Sequence, residues 1–312
     1  VGLANSFVDA ALQGQRLFYI YSLQKPIRRA IRTVTQIGAV VVGFELTGLI
    51  AGYAFGGIVA ILLGLIFLSI NIELPQREHF KSLVDYAKFA WLGQLKSETF
   101  NKADILILGV FVVPSLVGIY SIAWNIAGFL SIFSSSISAA LFPEVSNISA
   151  QENVEESTDI VRKALAYAGL ITIPGFAGGV ILGENLLALY GQDFIQGSFI
   201  LTILIAASVI YDYQKVIVSF LGAIDRPDLA FLINGALIVS NIVLNVVLIR
   251  FYGWIGAAVA TLTSAGLSLV LGYLVVQSFM DFNIPIRPVT QQVASTVVMS
   301  IAVLSAEHIL QS

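Results

Sequence analysis

Residues 116–143 constrain this chain more than any other stretch: they run LVGIYSIAWNIAGFLSIFSSSISAALFP without one charged side chain. About 20 predominantly apolar helical residues cross a bilayer, so this stretch is long enough to span one. In lipid every backbone N–H and C=O must be satisfied within the structure, which leaves helices and closed barrels as the available folds. A barrel is built from alternating segments of about ten residues, whereas the apolar runs here are continuous and much longer. Hydrophobic residues make up 57% of the chain and charged residues 11%, against about 25% charged in a soluble domain. The expected fold class is all-α: a polytopic membrane helix bundle.

Further apolar segments fall at about 33–46, 48–70, 84–112, 164–188, 196–222, 229–251, 254–278 and 288–309, and residues 1–13 read as the end of another helix. With 116–143 they give about nine full spans. The polar stretch 144–163 holds Glu152, Glu155, Glu156 and Asp159 and is expected to include a surface helix. The basic residues test this map. Arg16, Lys25, Arg28, Arg29, Arg32, Arg77, Lys81, Lys88, Arg162, Lys163, Arg226 and Arg287, twelve of the sixteen, fall in loops on one side, and Arg250 alone on the other. The positive-inside rule assigns the twelve-residue side to the cytoplasm. A wrong span count would scramble this alternation. The map also puts the Asn147-Ile-Ser149 triplet on the cytoplasmic side, where it would not be glycosylated.

The chain has no cysteine, so thiol chemistry and disulfides are excluded. His79 and His308 have no metal-ligand spacing, and no metal site or cofactor is expected. The net charge of −3 does not point to nucleic acid. The chain begins at Val1, inside an apolar segment and without a signal-like basic start; the expectation is a fragment whose earlier helices are missing.

Polar residues within apolar spans are the candidates for function. A charge at the centre of a membrane helix costs about 2.5–3.5 kcal/mol on insertion scales and survives where it faces a bundle interior or a wet cavity. On the 84–112 segment, Gln94, Ser97, Glu98, Asn101, Lys102 and Asp104 share one face at the helical period, a candidate cavity wall; Lys96 falls on the opposite face. Tyr211, Asp212, Lys215 and Ser219 form a second polar face. Asp212 and Lys215, three residues apart, could pair within their helix or serve as an ion-coupling or substrate site. Asn234, Asn241 and Asn245 stripe the next span and read chiefly as interhelical hydrogen bonding. Pro174-Gly175, with Gly178, Gly179 and Gly183, marks a kink or hinge. Arg28, Arg29 and Arg32 lie at the cytoplasmic surface, where anionic headgroups attract them.

Small residues recur every four positions in two helices: Gly48, Gly52, Gly56, Ala60 and Gly64, then Gly256, Ala260, Ser264, Ser268 and Gly272. This spacing lets helix backbones approach closely. Both runs follow similar preludes: Leu12-Gln-Gly14-Gln and Leu221-Gly222-Ala precede a polar cytoplasmic loop and one span, and then come Thr47-Gly-Leu-Ile-Ala-Gly52 and Tyr252-Gly-Trp-Ile-Gly256, which reads as a weak internal repeat of two lobes.

Asp104-Ile-Leu-Ile-Leu-Gly109-Val-Phe111, Val117-Gly118-Ile-Tyr120-Ser-Ile-Ala123 and Phe142-Pro143-Glu-Val-Ser146, in this order and spacing, resemble the seventh and eighth helices of Wzx-type oligosaccharide flippases. These belong to the multidrug/oligosaccharidyl-lipid/polysaccharide (MOP) exporter superfamily, with the lipid II flippase and the MATE antiporters. The resemblance implies two pseudo-symmetric lobes around a central cavity: residues 1–75 ending the N-terminal lobe, 76–278 forming the core of the C-terminal lobe, and 279–312 adding a helix. It implies movement of a lipid-linked oligosaccharide from the cytoplasmic to the outer leaflet of the cell membrane by alternating access. Gln94, Glu98, Asn101, Lys102, Asp104, Asp212 and Lys215 would then line the substrate cavity, and Arg28, Arg29 and Arg32 would recruit the diphosphate headgroup. A coupling ion, Na+ or H+, and glycan assembly enzymes are the implied partners besides the bilayer. The alternatives are a cation-coupled multidrug antiporter of the MATE kind and a membrane-embedded glycosyltransferase or polymerase. An enzyme of that last kind needs a clustered acidic site or a large outer loop, and the expected outer loops, Val113–Ser115 and about Gly191–Ile195, are short.

Overall fold

The structure is a computed structural model that describes residues 2–14, 17–67, 103–149, 154–224, 226–278 and 285–311. All regular elements among them are helical. The chain forms two compact units, Val1–Leu83 and Val84–Ser312.

The first unit contains α1 (Gly2–Gly14), α2 (Phe18–Val41) and α3 (Glu45–Phe67). α2 begins fifteen residues before the apolar run at 33, so Arg28, Arg29 and Arg32 are helical rather than part of a loop. Arg and Lys are good helix formers, and their long stems lie along apolar surface while the charge reaches out. Gly43, at φ 94°, turns the chain from α2 into α3. The small-residue run of α3 then packs on its neighbours. A Cβ at Gly48, Gly52 or Gly56 would come within 2.7–2.9 Å of Ala39, Gln36 or Arg32 of α2, and one at Gly64 would meet Val8 of α1. Close approach opens the α3 backbone to side-chain donors: Gln24 Nε2 reaches the Ala60 carbonyl at 2.7 Å, Gln36 Nε2 that of Leu49 at 2.9 Å and Thr35 Oγ1 that of Gly52 at 3.2 Å.

The second unit contains α4 (103–111), α5 (Pro114–Leu130), α6 (Ile132–Ser149), α7 (Val154–Ala168), α8 (Thr172–Ala188), a 3₁₀ turn (Gln192–Gly197), α9 (Ser198–Ala223), α10 (Pro227–Gln277) and α11 (Ile286–Gln311). Two of its spans are interrupted. α5 and α6 part at Ser131 with a bend of 46°. Residues 169–171 interrupt the span from Asp159 to Ala188. The surface helix expected in 144–163 is shared out: α6 continues to Ser149, and α7 leads directly into the span. α10 folds back at Gly253, whose φ of 58° favours glycine. Its arms run antiparallel, as Asn241 meets Ser264 and Ser268 meets the carbonyl of Ile233. At the start of α10, the exposed Arg226 guanidinium forks onto Asp228 with two 3.1 Å hydrogen bonds.

Five helices among the described residues are long and apolar enough to cross a bilayer, six when α5 and α6 form one bent span. α10 counts once in that number although it folds back. The nine expected spans include 84–112, most of which lies outside the described residues. The core of the second unit comes in two apolar clusters. One gathers Leu108, Tyr120, Ala123, Leu187, Ile200–Ile205 and Ala257. The other gathers Leu141, Val145, Leu165, Val216–Leu221, Ile233 and Val276. Along α9 the clusters occupy 200–205 and 216–221, and Ser208, Tyr211, Asp212, Gln214 and Lys215 fall between them.

Candidate functional site: two buried carboxylates in the second unit

Asp104 lies near the start of the described part of α4 and is buried. Its Oδ1 accepts a 2.6 Å hydrogen bond from Asn245 Nδ2 on the first arm of α10. Its Oδ2 accepts from Thr261 Oγ1 on the second arm at 2.6 Å and from the Tyr120 hydroxyl of α5 at 3.1 Å. Asn241, one turn before Asn245, donates to Thr261 and Ser264 at 3.4 and 3.3 Å. The asparagine stripe therefore does tie helices together, and what it ties is a carboxylate from α4. Asn245, Thr261 and Tyr120, the donors to this carboxylate, are all neutral. Asn245 Oδ1, buried and without a hydrogen-bond partner, is a further oxygen beside it.

Asp212, near the middle of α9, is fully buried, with the hydroxyls of Ser131, Thr172 and Ser134 as its polar neighbours. The helical pair with Lys215 considered from sequence does not form as a hydrogen bond: Lys215 Nζ donates to Ser135 Oγ of α6 at 2.6 Å instead. Ser219 continues the same face to the Ser138 carbonyl at 3.0 Å. Asn234 is bonded to Gln214 of α9 at 3.4 Å.

A cavity of about 170 Å³ lies between α5, α9 and α10. Trp124, Tyr211, Ser208, Ser131 and Thr261 line it, and Gly128, Ala207 and Ala265 leave the room. Thr261 belongs to the Asp104 network, and Ser131 acts on Asp212, so the cavity lies between the two acids. Gln94, Glu98, Asn101 and Lys102 of the expected stripe lie outside the described residues; Asp104 is its described member. Tyr120, Trp124, Ser131 and Thr261 were not singled out from sequence. The dense hydroxyl run Ser131–Ser138 was the one available signal.

In the first unit, Arg28 turns inward, with Nη1 3.1 Å from Asn5 Oδ1 and Nη2 3.5 Å from Asp9. Arg32 stacks over the Tyr53 ring at 4.4 Å and donates to Gln36. Arg29 is exposed. Of the three, Arg29 presents its charge most openly and Arg28 least.

Bilayer-length helices, backbone contact through small residues and carboxylates buried within the helix packing define a multi-pass α-helical membrane protein. Comparison with known proteins narrows this. Residues 4–197 match the model of the family described as "Polysaccharide biosynthesis protein". "Probable flippase AglR" of Haloferax volcanii is 31% identical over 301 residues, covering 96% of this chain and 63% of the relative; the chain thus spans less than two thirds of that relative's length. In fold it matches the lipid II flippase MurJ in an inward closed conformation, with TM-score 0.82 and 16% identity over 97% of this chain and 65% of that one. An inward-facing MATE family transporter of the MOP superfamily matches with TM-score 0.74 and 16% identity, covering 88% and 68%. The chain belongs to the family described as "Polysaccharide biosynthesis protein".

Proposed function

We propose that this protein moves a lipid-linked oligosaccharide from the cytoplasmic to the outer leaflet of the cell membrane by alternating access of two helical lobes. The observation that carries this is the polysaccharide biosynthesis family match over residues 4–197, joined to a flippase relative aligned over nearly the whole chain. The chemistry of the second unit supports it. A cavity with aromatic and hydroxyl walls suits a neutral, many-hydroxyl ligand such as a sugar ring, while the lipid tail stays in the bilayer. We assign it a transport role without a catalytic step or an organic cofactor. Coupling is to Na+ or H+, because a buried carboxylate with neutral partners responds to a small cation. The exposed Arg29 is the best placed of the basic run to attract a diphosphate headgroup, and enzymes of glycan assembly are the expected partners. The outward loops in this reading include Ser115 and Gln192.

The test is reconstitution of the protein in liposomes with a fluorescent lipid-linked oligosaccharide in the inner leaflet. We expect protein-dependent appearance of the sugar on the outside, read by a membrane-impermeant lectin. A second reading, a cation-coupled drug antiporter, draws on the likeness in fold to the MATE transporter. Cation-driven export of a cationic dye without sugar movement in the same liposomes would favour it and overturn the first.

A further inference from the structure

The interruption at 169–171 lies within an apolar span, where lipid cannot satisfy the backbone groups it sets loose. In an unbroken helix the Leu170 amide donates to the carbonyl of Ala166, four residues back. Here it donates to the Tyr167 carbonyl instead, at 3.1 Å, the tighter 3₁₀ pattern that marks hinges within helices. The Ala166 carbonyl receives its hydrogen bond from another helix: Gln292 Nε2 of α11, 126 residues along the chain, reaches it at 2.6 Å. The regular pattern resumes downstream, where the Ile173 amide donates to Gly169 and the Gly175 amide to Ile171, both at 2.9 Å. One backbone bond is given up at the break, and one side-chain bond from α11 stands in its place.

The surroundings of Gly169 add a second observation. Gly169 is buried, and Tyr213 Oη of α9, Ile173 Cδ1 and Gln292 Oε1 all come within 3.0 Å of the point where a Cβ would stand. Two of these atoms are polar, and both are buried without a hydrogen-bond partner among the described residues. So is the hydroxyl of Thr296, one turn after Gln292 on α11. Buried polar groups are nearly always bonded, so their state at this break needs a physical reason. A second arrangement of the same groups supplies one. When the Leu170 amide returns to the Ala166 carbonyl, Gln292 is released, and the Tyr213 hydroxyl already stands beside its amide group. The number of hydrogen bonds is conserved while the backbone becomes more regular. An element with two discrete arrangements of this kind is what a movement of helices can bias.

We propose that residues 169–171 form a two-state joint in the span from α7 to α8. Gln292 of α11 is the positioning residue that holds the joint in its interrupted state, and Tyr213 is the partner of Gln292 in the continuous one. α11 is thereby a clamp on the helices it packs against as well as a span of its own. The joint's use in transport rests on the alternating-access reading above. Its movement is followed without substrate, so a joint that does not move and a protein that does not flip sugar are separate results.

The experiment places spin labels on both sides of the joint, at Lys163→Cys of α7 and Glu184→Cys of α8, two exposed positions in a chain without cysteine. Double electron–electron resonance reads the distance between them in liposomes, with melting temperature as the check on folding. The labelled protein, otherwise unchanged, is expected to show two distances, one of them that of the structure. Gln292→Met keeps the length of the side chain and removes its amide. It should lower the share of the structure's distance relative to the other by about threefold, the population equivalent of one hydrogen bond between membrane helices. Tyr213→Phe removes the partner of the other state and should raise that share. A merely structural contact does not give opposite shifts. Should Gln292→Met fail to fold, the shift in Tyr213→Phe decides. A single distance in the otherwise unchanged protein overturns the proposal. So does a folded Gln292→Met variant with the unchanged ratio, or a Tyr213→Phe variant in which the share stays the same or falls.

Discussion

Tyr120 and Thr261 place their hydroxyls on the same oxygen of Asp104, 3.1 and 2.6 Å away. Interhelical hydrogen bonds in membrane proteins contribute about 0.6 kcal/mol on average and up to about 1.7, and a bond to a carboxylate belongs in the upper part of that range. Thr261→Val keeps the shape and removes the donor, so a loss of about 1–2 kcal/mol is expected in reversible unfolding from detergent. The loss should shrink in an Asp104→Ala background. An undiminished loss there would assign the hydroxyl's contribution to its bonds with Asn241 and Ala257. At this scale the sequence was only half readable. Asp104 stood out because a charge in an apolar run is costly, and Asp212 and Lys215 stood out for the same reason. Their partners did not, because residue 104 meets 245 and 261 only through the register of helices far apart in the chain. Lys215 donates its hydrogen bond to Ser135 on the serine-rich face of α6 rather than to Asp212, and no spacing rule within one helix anticipates that.

The helices themselves were easier to read, and their ends harder. The four-residue runs of small side chains announced close packing, and α3 makes it: Gly56 sits where a Cβ would come within 2.9 Å of the Arg32 Cα. Gly38 on α2 has nothing within 4 Å of the corresponding position. The two glycines form a matched test. Gly38→Ala should be neutral or stabilising by about 0.5–1 kcal/mol, because alanine gives up less backbone freedom in a helix. Gly56→Ala should destabilise the first unit, because backbone on both sides must move apart, and Gly56→Leu more so. Equal melting temperatures for Gly38→Ala and Gly56→Ala would show that α2 and α3 are not in contact there. Pro174 pointed to a kink, and the interruption lies at 169–171, just upstream of it. The reason is steric: a proline ring clashes with the carbonyl four residues earlier, here Leu170, so the helix breaks on the N-terminal side while Pro174 itself sits in the first turn of α8. The bend at Ser131 had no such herald, since serine is common in membrane helices and neither proline nor glycine stands at that position.

For the whole molecule, the charge asymmetry of the loops predicts orientation, and the absence of cysteine makes it simple to test. Single cysteines at Ser115, beside the start of α5, and at Gln192, in the 3₁₀ turn, should react with an impermeant thiol reagent added to intact cells. The two belong together in space as well, because Gly197 packs against Ile119. Gln151→Cys, in the acidic stretch expected on the other side, should react only after lysis. Labelling of Gln151→Cys in intact cells would invert the assignment of sides. The membrane-bundle class was the most legible property of all, because lipid imposes length and apolarity on every span at once. The division of the second unit's core into two apolar clusters with polar groups between them was not legible, because it depends on how the helices are staggered against each other.

The bond between Asp104 and Asn245 joins residues 141 apart in sequence, and that between Asp104 and Thr261 residues 157 apart. A ribosome adds about 5–20 residues per second, so Asp104 leaves it on the order of ten seconds before these two partners are synthesised. Tyr120, sixteen residues on, is the first of its network to follow. During assembly the carboxylate must therefore wait near water, in its neutral form, or on a temporary partner, and its network closes only when the α10 hairpin arrives. A ribosome stalled before residue 245 would leave α4 to α9 made and Asp104 with Tyr120 alone of its three partners.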